Sequence, residues 1–141
     1  MSKEITVSTP IKKVATSELI PYANNSRTHD DIQVSQIAAS IKEFGFLNPV
    51  IVDGSNGIIA GHGRVMAAKK LGLEFVPCLE AGHLSVAQKK AYIIADNKLA
   101  LNAGWDDAIL RVEFEALREM DFDIELTGFS LDEISELEIE E

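Results

Sequence analysis

Between Gly57 and Ala68 the chain passes from a short apolar run, Ile58-Ile59-Ala60, through Gly61-His62-Gly63-Arg64 into the helix-forming residues Val65 to Ala68. No other stretch constrains the fold as strongly, because this order spells a strand, a tight turn and a helix start. Gly61 and Gly63 admit positive φ and close backbone approach. The first turn of a helix offers unpaired N–H groups at the positive end of its macrodipole, which is an anion site. Arg64 adds a planar, permanently charged fork suited to phosphate. The turn alone is a weak signal, since it completes neither the dinucleotide fingerprint nor the phosphate loop with its Lys-Ser/Thr pair.

The flanking sequence places this turn in an α+β chain. Ile11 to Ala15 reads as a first strand, and Asn24-Asn25-Ser26-Arg27 as a polar loop. Asp30 or Asp31 caps a helix with Val34, Ile37, Ala38, Ile41 and Phe44 on one face, ended by Gly45. Val50-Ile51-Val52 and the Ile58 run form a hairpin around Asp53 to Gly57, which brings the glycine turn to a sheet edge. The helix after the turn turns Val65, Ala68 and Leu71 to one side. Pro77 assigns Phe75 to Leu79 to an edge strand or a strand start. Ser85 and Gln88 form a capping box for a helix that turns Ala91, Ile94 and Ala95 inward and ends in the cluster Ala95 to Asn102. After Trp105, read as a core anchor, Asp106 caps a helix with Leu110, Phe114 and Leu117 inward. Ser130 and Glu133 then open a short helix with Leu131, Ile134 and Leu137 facing in.

The 141 residues, 46% hydrophobic and 26% charged, suit one compact α+β body over 11–105 with a helical extension over 106–141 packed on it. No window is apolar enough to span a membrane and the start lacks a signal-peptide core, so the expected location is cytoplasmic. The single Cys78 excludes an intrachain disulfide and reads as a buried apolar residue. The net charge of −10 is unevenly spread: 1–105 carry 11 Lys/Arg against 9 Asp/Glu, whereas 106–141 carry 2 against 14. The body can hold an anion, and the extension is a poor reader of DNA.

Four stretches come in the order and spacing of one family: Asn24 to Arg27, Ser40 to Val52, Ile58 to Arg64 with Ala67-Ala68, and Ala95-Asp96-Asn97-Lys98-Leu99. Over about Leu19 to Trp105 the chain resembles the ParB/sulfiredoxin superfamily, specifically the ParB-like N-terminal domain. Its analogous boxes are an Asn-x-x-Gln-Pro-Arg loop, a Gly-x-x-Gln-Pro-Ile turn, an Ile-Ala-Gly-Glu-Arg-Arg turn and a Glu-Asn-Leu-Gln-Arg helix end. The resemblance implies a compact ParB/sulfiredoxin-like fold, with a small mixed sheet and flanking helices, that binds a nucleoside triphosphate (CTP or ATP) with Mg2+. Gly61, Gly63 and Arg64, with His62 between them, would then cradle phosphates. Arg27 would approach from the other side, and Asn48 with Pro49 would lie near the base. Asp96 and Asn97 would stand at the metal, Asn97 also at the phosphates.

Two departures qualify what the family implies. His62 and Gly63 stand where ParB has Glu-Arg, so one phosphate-directed arginine is absent, and no cysteine replaces the sulfiredoxin nucleophile. ParB proteins continue into a helix-turn-helix domain, whereas here the corresponding chain is the acidic segment from Asp106. Gly-His-Gly-Arg, Ala95 to Asp106 and Leu126-Thr127-Gly128-Phe129-Ser130 resemble the ParB-like nuclease domain found ahead of phage-type DNA methyltransferases. The reading is a nucleotide-binding domain, with nucleoside triphosphatase chemistry as the enzymatic extension, His62 and Asp96 being its candidate catalytic residues. DNA would be reached through a fused or partner module. Two alternatives are a DNA-binding or metal-dependent nuclease module using His62 as base beside Asp96, and a non-catalytic domain whose acidic end docks a basic surface.

Overall fold

The computed structural model describes residue 5, residues 10–23 and residues 29–139. Four strands form one mixed sheet: β1 (Ile11–Ala15), β2 (Val50–Val52), β3 (Ile58–Ala60) and β4 (Phe75–Glu80), in the order β1-β4-β2-β3. β1 runs antiparallel to β4, β4 parallel to β2, and β2 antiparallel to β3. The described residues form five α-helices: α1 (Asp31–Phe44), α2 (His62–Leu71), α3 (Val86–Asn102), α4 (Asp107–Glu119) and α5 (Leu131–Ile139). No helix is long and apolar enough to cross a membrane among the described residues.

The core follows from largely β-branched residues on β2, β3 and β4 meeting the apolar side of α2. Val50, Val52, Ile58, Val76 and Cys78 pack with Val65 and Ala68 in one buried cluster, with Leu19 closing it. A second cluster joins α1 to α2 through Val34, Ala38 and the fully buried Ala67. Leu71 reaches only the rim, 37% exposed. The caps read from the sequence are present: Asp30 accepts from Gln33 N–H, Asp106 from Ile109 N–H, and both Ser85/Gln88 and Ser130/Glu133 close reciprocal boxes.

Several expectations are corrected. Pro77 lies on an inner strand, not an edge. It is tolerated because the parallel ladder to β2 begins one residue later, at Cys78, so no bond to β2 is lost there. In α3 it is Ile93 that is buried, with Ile59 and Ala81, while Ile94 is 60% exposed and Ala91 also faces out. Every strongly apolar residue near that spacing is a candidate by pattern, and contact with β3 selects one. The helix end itself is as read: α3 runs through the Ala95 to Asn102 cluster and stops with it, at Asn102. Trp105 is 69% exposed and touches Phe129 edge-on; it is no core anchor. Phe44 and Leu131 are likewise exposed, though Phe44 stacks on Phe122.

Beyond Trp105, α4, a 3₁₀ turn at Ile124–Thr127 and α5 enclose their own cluster of Phe114, Ile124 and Ile134, with Leu110, Leu117, Phe129 and Leu137 around it. The 3₁₀ turn rests against α1.

Candidate functional site

Gly61 takes φ +102° and serves as N-cap of α2, a left-handed conformation that any Cβ would strain. It offers no side-chain cap, so the first N–H groups of α2 point out of the turn without an intrahelical partner. The Arg64 guanidinium folds back over the turn, its Nη1 3.1 Å from where a Gly61 Cβ would be. Gly63 is buried for another reason: a Cβ there would meet Ile37 Cδ1 at 2.9 Å and the His29 ring at 3.1 Å. Gly63 is thus the residue that lets α2 close on α1.

A cavity of about 500 Å3 opens beside Arg64, between α1, the Phe46-Leu47-Asn48 turn and the 3₁₀ turn of the C-terminal segment. Its polar lining is Gln33, Gln36, Ser40, Asn48, Arg64 and Thr127. Asn48 and Arg64, both picked from the sequence, are brought together here. Gln33, Gln36 and Ser40 were not picked, although they repeat at i, i+3 and i+7 beside the apolar stripe of α1, a signal of a polar helix face. Thr127 comes from a segment remote in sequence and left no local signal.

His62 is half-buried, and its Nε2 accepts the Tyr22 N–H at 3.1 Å. That bond requires a lone pair on Nε2, which puts the proton of the neutral ring on Nδ1. Burial, then the nearby His29, lowers the His62 pKa below its ordinary 6.5. His29 in turn bonds Gln33 through Nδ1 at 2.6 Å. His62 therefore fastens Tyr22 to the glycine turn, while His29 is held to α1 by Gln33 with its ring lying against Gly63. The Asn24 to Arg27 loop lies outside the described residues.

Tyr22 follows a strap that also guards the sheet edge, with Ile20 N–H bonding Asn56 O and Ile58 N–H bonding Ile20 O. The hairpin loop is organised by Asp53, whose Oδ1 accepts the N–H groups of Ser55 and Gly57 and whose Oδ2 pairs with Lys89 of α3 at 2.8 Å. The pair ties α3 to the sheet at a side chain that the sequence reading passed over.

Asp96 and Asn97 lie within α3 and do not line the Arg64 cavity. Asp96 is exposed and accepts from the Tyr92 hydroxyl, while the Asn97 amide donates to Ile93 O. Neighbouring helix positions point about 100° apart, so the two oxygens fan out and do not converge on one ion. No group of three His, Cys, Asp or Glu that could hold a metal occurs among the described residues. Mg2+ commonly takes only one or two protein carboxylates and completes its shell with phosphate and water, a demand that Asp96 can meet.

With this geometry in hand, the class of protein is plain. Residues 1–95 match the ParB N-terminal domain, and the chain belongs to that family. Residues 108–141 match the ParB-methyltransferase HTH domain. Over 73 residues the chain is 52% identical to the ParB-like nuclease domain-containing protein YnaK of Escherichia coli K12, covering 52% of this chain and 84% of YnaK. Nucleoid occlusion proteins of Geobacillus sp. (strain WCH70) and Bacillus cytotoxicus are 31% and 34% identical over 74 residues, about half of this chain and 26% of theirs. The chain thus spans about a quarter of those relatives.

Among solved structures, the C-terminally truncated chromosome-partitioning protein ParB of Caulobacter crescentus complexed with CTP-gamma-S superposes with a TM-score of 0.74 at 21% identity, over 91% of this chain and 76% of that one. The same protein complexed to the centromeric parS site gives 0.51 at 22% identity, over 90% and 70%. These likenesses establish the ParB fold.

Residues 108–141 accordingly resemble a helix-turn-helix domain, so the acidic segment does not stand in place of one, as its charge had suggested. Charge resides on exposed residues, whereas the α4-turn-α5 arrangement is set by the buried Phe114, Ile124 and Ile134.

Proposed function

We propose that this domain binds a nucleoside triphosphate, CTP or ATP, and works in a DNA-modification or DNA-partitioning system. The observation that carries the reading is that Arg64, in the first turn of α2 whose N-cap offers no side-chain cap, lines one cavity with Asn48. Helix N–H donors and a guanidinium neutralise phosphate oxygens. The cavity next to them is half apolar, through Ile37, Ile41 and Phe46, as a base requires. The CTP-gamma-S complex of the Caulobacter relative supports the same ligand class.

Within this reading Gly61, Gly63 and Arg64 form the phosphate cradle, Arg27 approaches from its loop, and Asn48 faces the base. Asp96 supplies the carboxylate for a Mg2+ that arrives with the triphosphate, and Asn97, which does not converge with it on one ion, offers its side-chain oxygen or amide to the phosphates. His62 acts chiefly by position, since service as a base at Nε2 would cost it the Tyr22 bond. DNA is reached through a fused or partner module.

Isothermal titration with the four ribonucleoside triphosphates and Mg2+ tests the proposal. One nucleotide is expected to bind, and Arg64→Ala to weaken it by about 1.5–3 kcal/mol, the range for a hydrogen bond to a charged group. Binding of none of the four, or binding indifferent to Arg64→Ala, overturns it.

A further inference from the structure

A second groove, of about 800 Å3, lies between the outer face of α1 and the chain from Asp123 to Asp132; it shares only Gln36 and Leu126 with the Arg64 cavity. Four carboxylates line it, Asp31, Asp123, Glu125 and Asp132, and none of its lining residues is Lys or Arg. None of the four forms an ion pair with a described residue. Lys70 of α2 comes near one end, where its Nζ donates to Ser35 Oγ.

The groove is also apolar. Ile32 from the α1 wall is 73% exposed and Leu131 from the opposite wall 66% exposed, with the half-buried Phe129 between the carboxylates. Large aliphatic side chains facing each other in water beside a concave surface mark an interaction site.

Charge selects the occupant. In a helix-turn-helix the second helix lies on DNA and its neighbourhood is cationic. Here that helix, α5, carries Asp132, Glu133, Glu136 and Glu138 and no cation. Phosphate would be repelled by the same rim that attracts ammonium and guanidinium groups. We propose that this groove docks a short cationic segment of a partner protein, in which Lys or Arg flanks one or two large apolar side chains. The apolar residues would cover Ile32, Phe129 and Leu131 while the cations meet the four carboxylates.

Fluorescence anisotropy of the full chain with a labelled amphipathic Leu/Lys peptide tests this, with a Leu/Glu peptide and a DNA duplex as comparisons. The Leu/Lys peptide is expected to bind, and the triple variant Asp31→Asn/Glu125→Gln/Asp132→Asn to weaken it about tenfold, as expected for three exposed pairs. Leu131→Ser, and independently Ile32→Ser on the other wall, should weaken it at unchanged charge. Glu113→Gln/Glu115→Gln/Glu119→Gln removes as much charge from exposed positions on α4 and should change binding by no more than about twofold. Equal losses in both triple variants, indifference to both serine variants, or displacement of the peptide by the duplex each overturn the proposal. So does self-association abolished by Leu131→Ser without peptide binding, which would make a second copy the occupant.

Discussion

Replacing Gly63 by alanine tests the closeness of α1 and α2 behind the anion site. A Cβ at residue 63 would lie 2.9 Å from Ile37 Cδ1 and 3.1 Å from two atoms of the His29 ring. Carbon atoms attract best at about 3.5–4.0 Å, so both neighbours must yield by several tenths of an ångström. The Ile37 methyl is a chain end and can swing, but the His29 ring is held by Gln33. Overpacking of this kind costs about 1–3 kcal/mol. Alanine recovers up to about 0.8–1 kcal/mol of helix propensity. The balance is a loss of about 1 kcal/mol, or roughly 3–4 °C of Tm for a chain this long.

Thermal unfolding followed by far-UV circular dichroism measures that loss. Ile37→Val removes the Cδ1 methyl and alone should cost about 0.5–1.5 kcal/mol. On the Gly63→Ala background it should cost nothing or restore stability, giving a coupling of about 1 kcal/mol. If Gly63→Ala is as stable as the parent, or Ile37→Val costs the same in both backgrounds, the close approach does not limit α2 packing.

Asp53→Ala should destabilise the chain by about 1–3 kcal/mol, because the Ser55 and Gly57 N–H groups and Lys89 all lose their acceptor. Lys89 chiefly holds the Asp53 carboxyl below its ordinary 3.8, so its contribution is complete above pH 3.8 and fades as pH falls further. Denaturant melts on the two sides of that pH should converge for parent and variant in acid, and a constant gap contradicts the account. His62 is depressed from 6.5, so the folded state resists its protonation and stability drops as pH falls below 6.5. His62→Gln, which cannot take up the proton, should flatten that slope in Tm against pH; parallel slopes would refute the burial of a neutral His62 beside His29. Cys78 is 1% exposed and burial raises its thiol pKa, so a thiol-labelling reagent should react only as fast as the chain unfolds. Rapid labelling of folded protein would contradict its place in the core.

What the sequence by itself determined is local. The hairpin, the Gly61 turn, the α1 stripe and the four helix caps each depend on residues within a turn or two of one another, and their chemistry acts at that range. Gly61 and Arg64 could be named from the chain because a strand entering a helix start leaves that pattern wherever it occurs. Asn48 joined them by resemblance, and the cavity they share is formed only when α1 and the 3₁₀ turn near Thr127 meet. The tertiary structure alone decided which apolar residue of α3 is buried, since Ile93 and Ile94 are equally hydrophobic and only contact with Ile59 and Ala81 separates them. It also put Pro77 inside the sheet, where ladder register and not propensity governs tolerance. It gave His62 a partner forty residues away in Tyr22, and side-chain identity cannot announce a bond to a distant backbone N–H. The acidic extension makes the same point: its charges describe its surface, while its fold rests on the buried Phe114, Ile124 and Ile134.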